Sequence, residues 1–321
     1  MAGIKIIGLG KARGDRVVTN EDLEQIVDTS DGWIREKSGI RSRYFAEHKT
    51  NADLAAEAAE AAILSAGIAP ADIGIVLVCT FTGDDLTPAA ACQVCGRLKL
   101  SEEVLALDIN GACAGFIYGC NIANGLLQAN GAEDGGKYAL VIGSEKISPL
   151  LDMKDRITCV LFGDGAGAAV LEYDEEAEFY FYGGCEPNRQ VLGCSRERAS
   201  IEMAGQEVYR FAVNKVPACI HRVLELAGRT SEETDYFVCH QANERIIDAA
   251  ARRITKEKQK FYKNLYQYGN TSAASIPLAL CEMGEEGLLR KGSSLVCTGF
   301  GAGLTYGCMW ITAGRDFGER K

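Results

Sequence analysis

Cations, histidines and long apolar runs are what this 321-residue sequence has least of. Lys and Arg number 34 against 44 Asp and Glu, a formal net charge of −10, so long-range repulsion opposes encounter with nucleic acid or an anionic membrane surface. An anionic partner would need a local basic patch. Only three histidines are present, with no H-x-x-x-H pair and no matching carboxylate cluster, which predicts no catalytic metal. No apolar stretch reaches membrane-spanning length. Residues 1–8 form a short strand-like run with Lys5 inside it, unlike the long apolar region and cleavage site of a signal peptide. A cytoplasmic location is expected. The 13 cysteines, an odd number, then read as reduced thiols, most of them small core residues. Cys92 and Cys95 have C-x-x-C spacing, but they fall in a helical pattern and no second pair exists to complete a metal site.

With 47% hydrophobic residues, the chain can bury one large core or two moderate ones. Its organising stretch is Gly111-Ala112-Cys113-Ala114-Gly115, preceded by a strand pattern at 104–108 and followed by a helical one to about Asn130, with Asn130-Gly131 as its expected cap. Small residues on both sides of a nucleophile suit a sharp strand-to-helix turn, where larger side chains would strike backbone. Unpaired N–H groups and the helix dipole there favour a thiolate. A buried structural cysteine fits the same pattern. Elsewhere, an alanine-rich run from Ala52 to Ala66, ending at Gly67, predicts a helix. Pro88 opens another over 89–98, and 73–79 and 138–143 read as buried strands. The glycines of 163–167 loosely resemble a phosphate-binding fingerprint, but a strand pattern follows them, which predicts a tight strand crossing. Residues 172–205 read as a connection with strands of its own, and 208–226 as a helix that Pro217 should kink or bound.

The second half repeats the first. Tyr236-Phe237-Val238-Cys239 echoes the strand ending at Cys79, and 269–277 echoes the glycine-rich turn at 111–117. Residues 294–301 and 304–311 echo the strands ending at Gly143 and Leu171. The expectation is a duplicated α/β unit, divided 1–173 and 174–321, with functional loops meeting about a pseudo-twofold axis. Of the three histidines, only His240 ends a buried strand and opens a polar turn, the kind of place where α/β sheets hold ligands. Asn270 stands at the equivalent turn, where an asparagine is more often a helix cap than a catalyst. A thiol, an imidazole and a carboxamide converging from such turns suit acyl transfer through a thioester.

At these residues the sequence resembles the β-ketoacyl-acyl-carrier-protein synthase III family of the thiolase-like fold. The likeness runs through Asp31-Gly32-Trp33-Ile34 with Ser38-Gly39-Ile40, Gly111 to Phe116, Phe162 to Ala168, His240-Gln241-Ala242-Asn243, and Tyr268 to Pro277. It implies α-β-α-β-α layering and a homodimer. It also implies that Cys113 takes an acyl group from an acyl-coenzyme A, and that an enolate from decarboxylating malonyl-acyl carrier protein attacks that thioester. His240 and Asn270 would donate hydrogen bonds to the malonyl thioester oxygen, and backbone N–H groups of Cys113 and Ala302 would bind the oxyanion of the acyl transfer. Trp33 and Arg156 would sandwich the adenine of coenzyme A, with Thr29 and Lys37 near its nucleotide; coenzyme A enters as substrate, and no cofactor is implied. Lys37 stands where arginine is frequent in the family, and Ala302 where glycine is. Leu86 and Thr87, in the loop 84–88, would reach the acyl pocket from the partner subunit. The acidic carrier protein would dock on Arg245, Arg252, Arg253 and Lys256, within a basic stretch extending to Lys258, Lys260 and Lys263, whose bland alternative is a solvated helix face. A secondary-metabolism ketosynthase or acyltransferase, a thiol hydrolase with His240 as base, and a non-enzymatic binding module are the competing readings.

Overall fold

The continuous apolar runs become the middle of a mixed sheet in a computed structural model that describes residues 3–130, 138–195, 197 and 200–318. In the first half the strands are β1 (Gly3–Arg13), β2 (Ile73–Cys79), β3 (Leu105–Ile109), β4 (Tyr138–Glu145) and β5 (Gly165–Asp174). They lie in the order β3-β2-β4-β5-β1, parallel from β3 to β4 and antiparallel thereafter. The second half supplies β6 (Tyr180–Cys185), β7 (Tyr236–Cys239), β8 (Ser294–Gly301) and β9 (Thr305–Ala313). Its order is β7-β8-β9-β6, with β7 and β8 parallel and the rest antiparallel. The four inner strands of each half thus repeat the same path and the same directions. Even β3 has a remnant, a single parallel bridge from Phe237 to Phe261. The two paths join where Lys5 and Ile6 of β1 pair with Thr312 and Ala313 of β9.

Side-chain alternation along the strands explains the layers. In β2, Ile75, Leu77 and Cys79 face one core while Ile73, Val76 and Val78 face another. The first face meets helices α3 (Gly115–Asn130) and α6 (Ser275–Glu285), which also receive Val238, Leu295 and Cys297 from the second half. The opposite face is covered by α1 (Asn51–Ala66) and α2 (Ala90–Leu98). On the far side of the second half, α4 (Gly205–Ala227) and α5 (Glu244–Ile254) pack on Phe237, Val296 and Trp310. The result is the α-β-α-β-α order expected, with α3 and α6 as the middle layer.

Helix starts are set by carboxylates arriving from elsewhere. Asp108 at the end of β3 accepts the N–H groups of Ala90 and Ala91, each at 2.8 Å, so α2 is opened by this acid two residues beyond Pro88. Asp84 does the same for Asn51 and Ala52 of α1, beside a Thr50–Asp53 capping box. Pro217 sits buried inside α4, not at either end of it. The expected cap at Asn130-Gly131 falls partly outside the described residues. The glycines of 163–167 do lead into a strand: a side chain at Gly167 would lie 2.5 Å from Leu278 N, so this glycine lets α6 approach β5. Nearby, the buried Asp164 carboxylate takes the N–H groups of Ala46, Ile147 and Ser148.

Candidate active site

Cys113 is held by a turn that only small neighbours permit. The segment 112–114 forms one 3-10 turn leading directly into α3, with Ala112 at φ 47°. A Cβ on Gly111 would lie 2.8 Å from the Tyr118 ring and 3.0 Å from Gly115 Cα. On the other side, the end of β8 presses so closely that a Cβ on Gly301 would come within 2.6 Å of Cys113 N. Thr305 Oγ1 lies 3.0 Å from Gly111 O and 3.1 Å from Ala302 O, tying the turn to the residue after Gly301.

His240 leaves β7 with its N–H on Thr298 O of β8 at 2.7 Å. Its Nδ1 lies 2.7 Å from Ser275 Oγ, and that oxygen also accepts Gln241 N–H at 3.4 Å. Ser275 can therefore give its own proton to Nδ1, which leaves the ring's proton on Nε2. The ring stands edge-on to Phe300, centroids 5.5 Å apart. Burial pulls its pKa down to about 3, so the imidazole is neutral throughout the ordinary pH range. Asn270 is fixed by Ser272 N–H, 2.9 Å from its Oδ1, and by backbone bonds to Leu161 and Gly163. With the oxygen engaged, its Nδ2 is the free end. It caps a turn, as half expected, and still has an amide to donate.

Cys113, His240, Asn270 and Ala302 line one cavity of about 370 Å³, whose remaining wall includes Phe81, Phe162, Leu192, Ile201 and Met203. Much of that wall comes from Arg189, Leu192, Cys194, Ile201 and Met203, in the irregular connection 172–205 whose pattern predicted strands but no role in a site, and from the start of α4. Burial pushes the Cys113 thiol up to about 12, the Ser272 side chain pulls it back by hydrogen bonding to the sulfur, and the Glu145 charge adds to the rise. Burial and the helix start thus act on this sulfur in opposite directions.

The other predicted residues are distributed more widely. Trp33, at the start of helix Asp31–Ser38, and Arg156 already face each other, with the guanidinium carbon 5.1 Å from the ring centroid. A flat ring between them needs about 7 Å, two contact distances of ~3.5 Å, so Arg156 must swing away from its bond to Asp28 O to admit one. Thr29 lies at the same helix start with its hydroxyl oxygen buried and unpartnered. The exposed Lys37 ammonium rests on Glu36, while its carbonyl accepts from Asn243, a cavity-lining residue. Leu86 is 81% exposed, and neither it nor Thr87 lines the cavity within one chain.

On α5, Ile246, Ile247, Ala250 and Ile254 are buried as expected and the cations lie outside. Arg245 covers the Tyr209 ring at 5.5 Å, Arg253 donates to Val213 O, and Arg252 and Lys256 are exposed. The basic stretch is shorter than its sequence. Lys263 is drawn to Glu244 and Asp248, and Lys260 to Glu257 and the carbonyls of Ser231 and Glu232. Two residues inside the expected motifs, Ser272 and Ser275, gained no role from the sequence, and Glu145 gained none either. Its only signal was an acid two residues beyond the buried-strand run 138–143.

A nucleophile turn, a neutral imidazole and a carboxamide from the two halves of a duplicated thiolase-like fold define a condensing-enzyme class of site. Residues 107–183 match the family described as 3-oxoacyl-[acyl-carrier-protein (ACP)] synthase III, and residues 224–313 match its C-terminal part. A β-ketoacyl-[acyl-carrier-protein] synthase III from Natranaerobius thermophilus is 42% identical, covering 97% of this chain and 99% of that protein. One from Clostridium acetobutylicum is 40% identical over 96% of this chain and 98% of its own. The crystal structure of 3-oxoacyl-[acyl-carrier-protein] synthase III from Aquifex aeolicus superposes with a TM-score of 0.91 at 40% identity, covering 96% and 99% of the two chains. The chain belongs to the β-ketoacyl-acyl-carrier-protein synthase III family.

Proposed function

We propose that this protein condenses an acyl-coenzyme A primer with malonyl-acyl carrier protein, with loss of CO2, to start fatty acid synthesis. The observation that carries the assignment of roles is the convergence of Cys113, His240, Asn270 and Ala302 on one cavity from turns of both halves. Cys113 attacks the primer thioester and keeps the acyl group, while coenzyme A leaves. The N–H groups of Cys113 and Ala302 hold the oxyanion. Malonyl thioester then enters; as its carboxylate departs as CO2, charge develops on the thioester oxygen, where His240 Nε2–H and Asn270 Nδ2 donate. Each such donor is worth ~3 kcal/mol of barrier. The enolate attacks the acyl carbonyl and releases Cys113. A histidine held at about 3 is a poor base for a thiol raised to about 12, which weighs against the hydrolase reading.

Coenzyme A enters past Trp33, Arg156, Thr29 and Lys37, and Arg245, Arg252, Arg253 and Lys256 offer the local positive surface an acidic carrier needs on a protein of net charge −10. Two copies associate so that Leu86 and Thr87 of one reach the other's acyl pocket; the bare Leu86 and the exposed outer strand β3, with Leu105 47% exposed, support this. The duplication is read as two units, 1–173 and 174–321. The test is intact-mass measurement after mixing with a panel of acyl-coenzyme A thioesters. One acyl adduct is expected, absent from Cys113→Ala and discharged by malonyl-acyl carrier protein; an adduct that persists in the variant overturns the assignment. Arg252→Glu should raise KM for the carrier protein several-fold and leave acyl-coenzyme A use unchanged.

A further inference from the structure

Behind the cavity lies a carboxyl group that the condensation as described does not use. Glu145, the last residue of β4, is fully buried and forms no ion pair among the described residues. Its Oε2 receives the hydroxyls of Thr82 at 2.6 Å and Thr80 at 3.1 Å and the N–H of Phe81 at 3.3 Å. Its Oε1 receives Ser272 Oγ at 3.1 Å. The neighbouring Lys146 turns its ammonium away, to Lys49 O at 2.8 Å. The other titratable groups that feel this carboxyl are the thiols of Cys79 and Cys113. Ser272 lines the cavity with Cys113, and the two turns that carry them pack against each other. Ser272 thus joins the cavity that holds Cys113 to an isolated buried acid.

We infer that Glu145 is a positioning residue that, through Ser272, takes and holds the proton Cys113 gives up on acylation. This rests on Cys113 being the acyl carrier. In the forward step the Cys113 S–H bond breaks, Ser272 Oγ accepts that proton and passes its own hydroxyl proton to Glu145 Oε1. The electron pair left on sulfur forms the bond to the acyl carbon; the bond from that carbon to coenzyme A breaks, and the leaving thiolate takes a proton from water. When condensation breaks the acyl–Cys113 bond, the pair returns to sulfur and Glu145 returns its proton through Ser272. A neutral Glu145 during the acyl-enzyme stage also removes a negative charge from beside the forming enolate. Burial raises the Glu145 pKa to about 7, so both forms are accessible near neutrality. A thiol otherwise raised by enclosure needs a nearby acceptor, and His240, neutral and bonded to Ser275, is not one.

Glu145→Gln keeps the shape and one acceptor oxygen, replaces the other with an amide NH2, and removes the proton site. Single-turnover acylation of Cys113, read by intact mass, should slow at least tenfold at pH 7 in Glu145→Gln and in Ser272→Ala, with the double variant no slower than either. The wild-type rate should level off above about pH 7, whereas the variants keep rising with pH; Glu145→Asp should recover part of the rate. In an infrared difference spectrum, acylation of the wild type should raise a buried carboxylic-acid C=O band that Glu145→Gln lacks. The infrared reading on the wild type stands even if a variant fails to fold. An unchanged rate and pH profile in Glu145→Gln, or no acid band on acylation, overturns the relay while leaving Cys113 as carrier. A wild type that takes no acyl group overturns the underlying reading instead.

Discussion

The turn at 112–114 and the turn at 272–274 are the same structure built twice. Gly111 and Thr271 enter them at φ −112° and −100°, Ala112 and Ser272 follow at φ 47° and 50°, and a long helix leaves each. Each is seated by a glycine of the other half: Gly301 of β8 abuts Cys113, and Gly143 of β4 abuts Ala273, where a Cβ would lie 2.2 Å from its carbonyl oxygen. The difference is what they carry. The first turn has cysteine where the second has Ala273, fully enclosed, while the second carries Asn270 and Ser272 at its approach. The fold thus holds two equal mounts, and under the proposed roles one carries the nucleophile and the other the groups that serve it.

Moving the sulfur breaks the comparison most severely. The double variant Cys113→Ala with Ala273→Cys should lose condensation by at least ~10⁴-fold and form no acyl adduct, because position 273 does not open on the cavity. Recovery of an adduct would mean the mounts are interchangeable. Asn270→Ala should slow malonyl decarboxylation by ~10²- to 10³-fold with Cys113 acylation nearly intact, measured as CO2 release against adduct formation. Gly301→Ala and Gly143→Ala should each cost ~1–3 kcal/mol in denaturant unfolding, but the first should slow acylation and the second decarboxylation. Equal effects on both half-reactions would blur the division of labour.

Glu145 supplies the pH dependence. An acid whose folded pKa, about 7, exceeds its ordinary 4.5 supports the fold fully below the lower value and loses that support as pH rises through the upper one. Relative to Glu145→Gln, the wild type should therefore lose up to about 3 kcal/mol between pH 4 and pH 8 in urea titrations. A constant difference would mean Glu145 is no more than a hydrogen-bond acceptor.

The repeat itself was legible because buried strands are apolar on both faces and glycines mark the sharp turns; Tyr236–Cys239 and Ser294–Gly301 stand where the echoes placed them. The ends were legible to within a residue, 89–98 against Ala90–Leu98 for α2, but not what holds them: Asp108 reaches the start of α2 across the sequence, a contact no local pattern contains. Charge was misread for the same reason: Lys263 looks like a free cation in the sequence and is spent on Glu244 and Asp248 in the fold. Likewise the sequence shows a thiol at a helix start but not the burial that acts against its ionisation. Glu145 is the plainest case, since an acid after an apolar run looks like the strand's exit to solvent and is in fact its most buried end.

The stack of Arg156 on Trp33 has one more use. The only other tryptophan, Trp310, is buried between the second half's strands and α4, away from the surface. Any ligand ring that displaces Arg156 changes the surroundings of one indole and leaves the other as a constant background. If the proposed coenzyme A entrance lies there, the protein's own emission should report its occupancy in real time, without a label, separately from acyl transfer at Cys113.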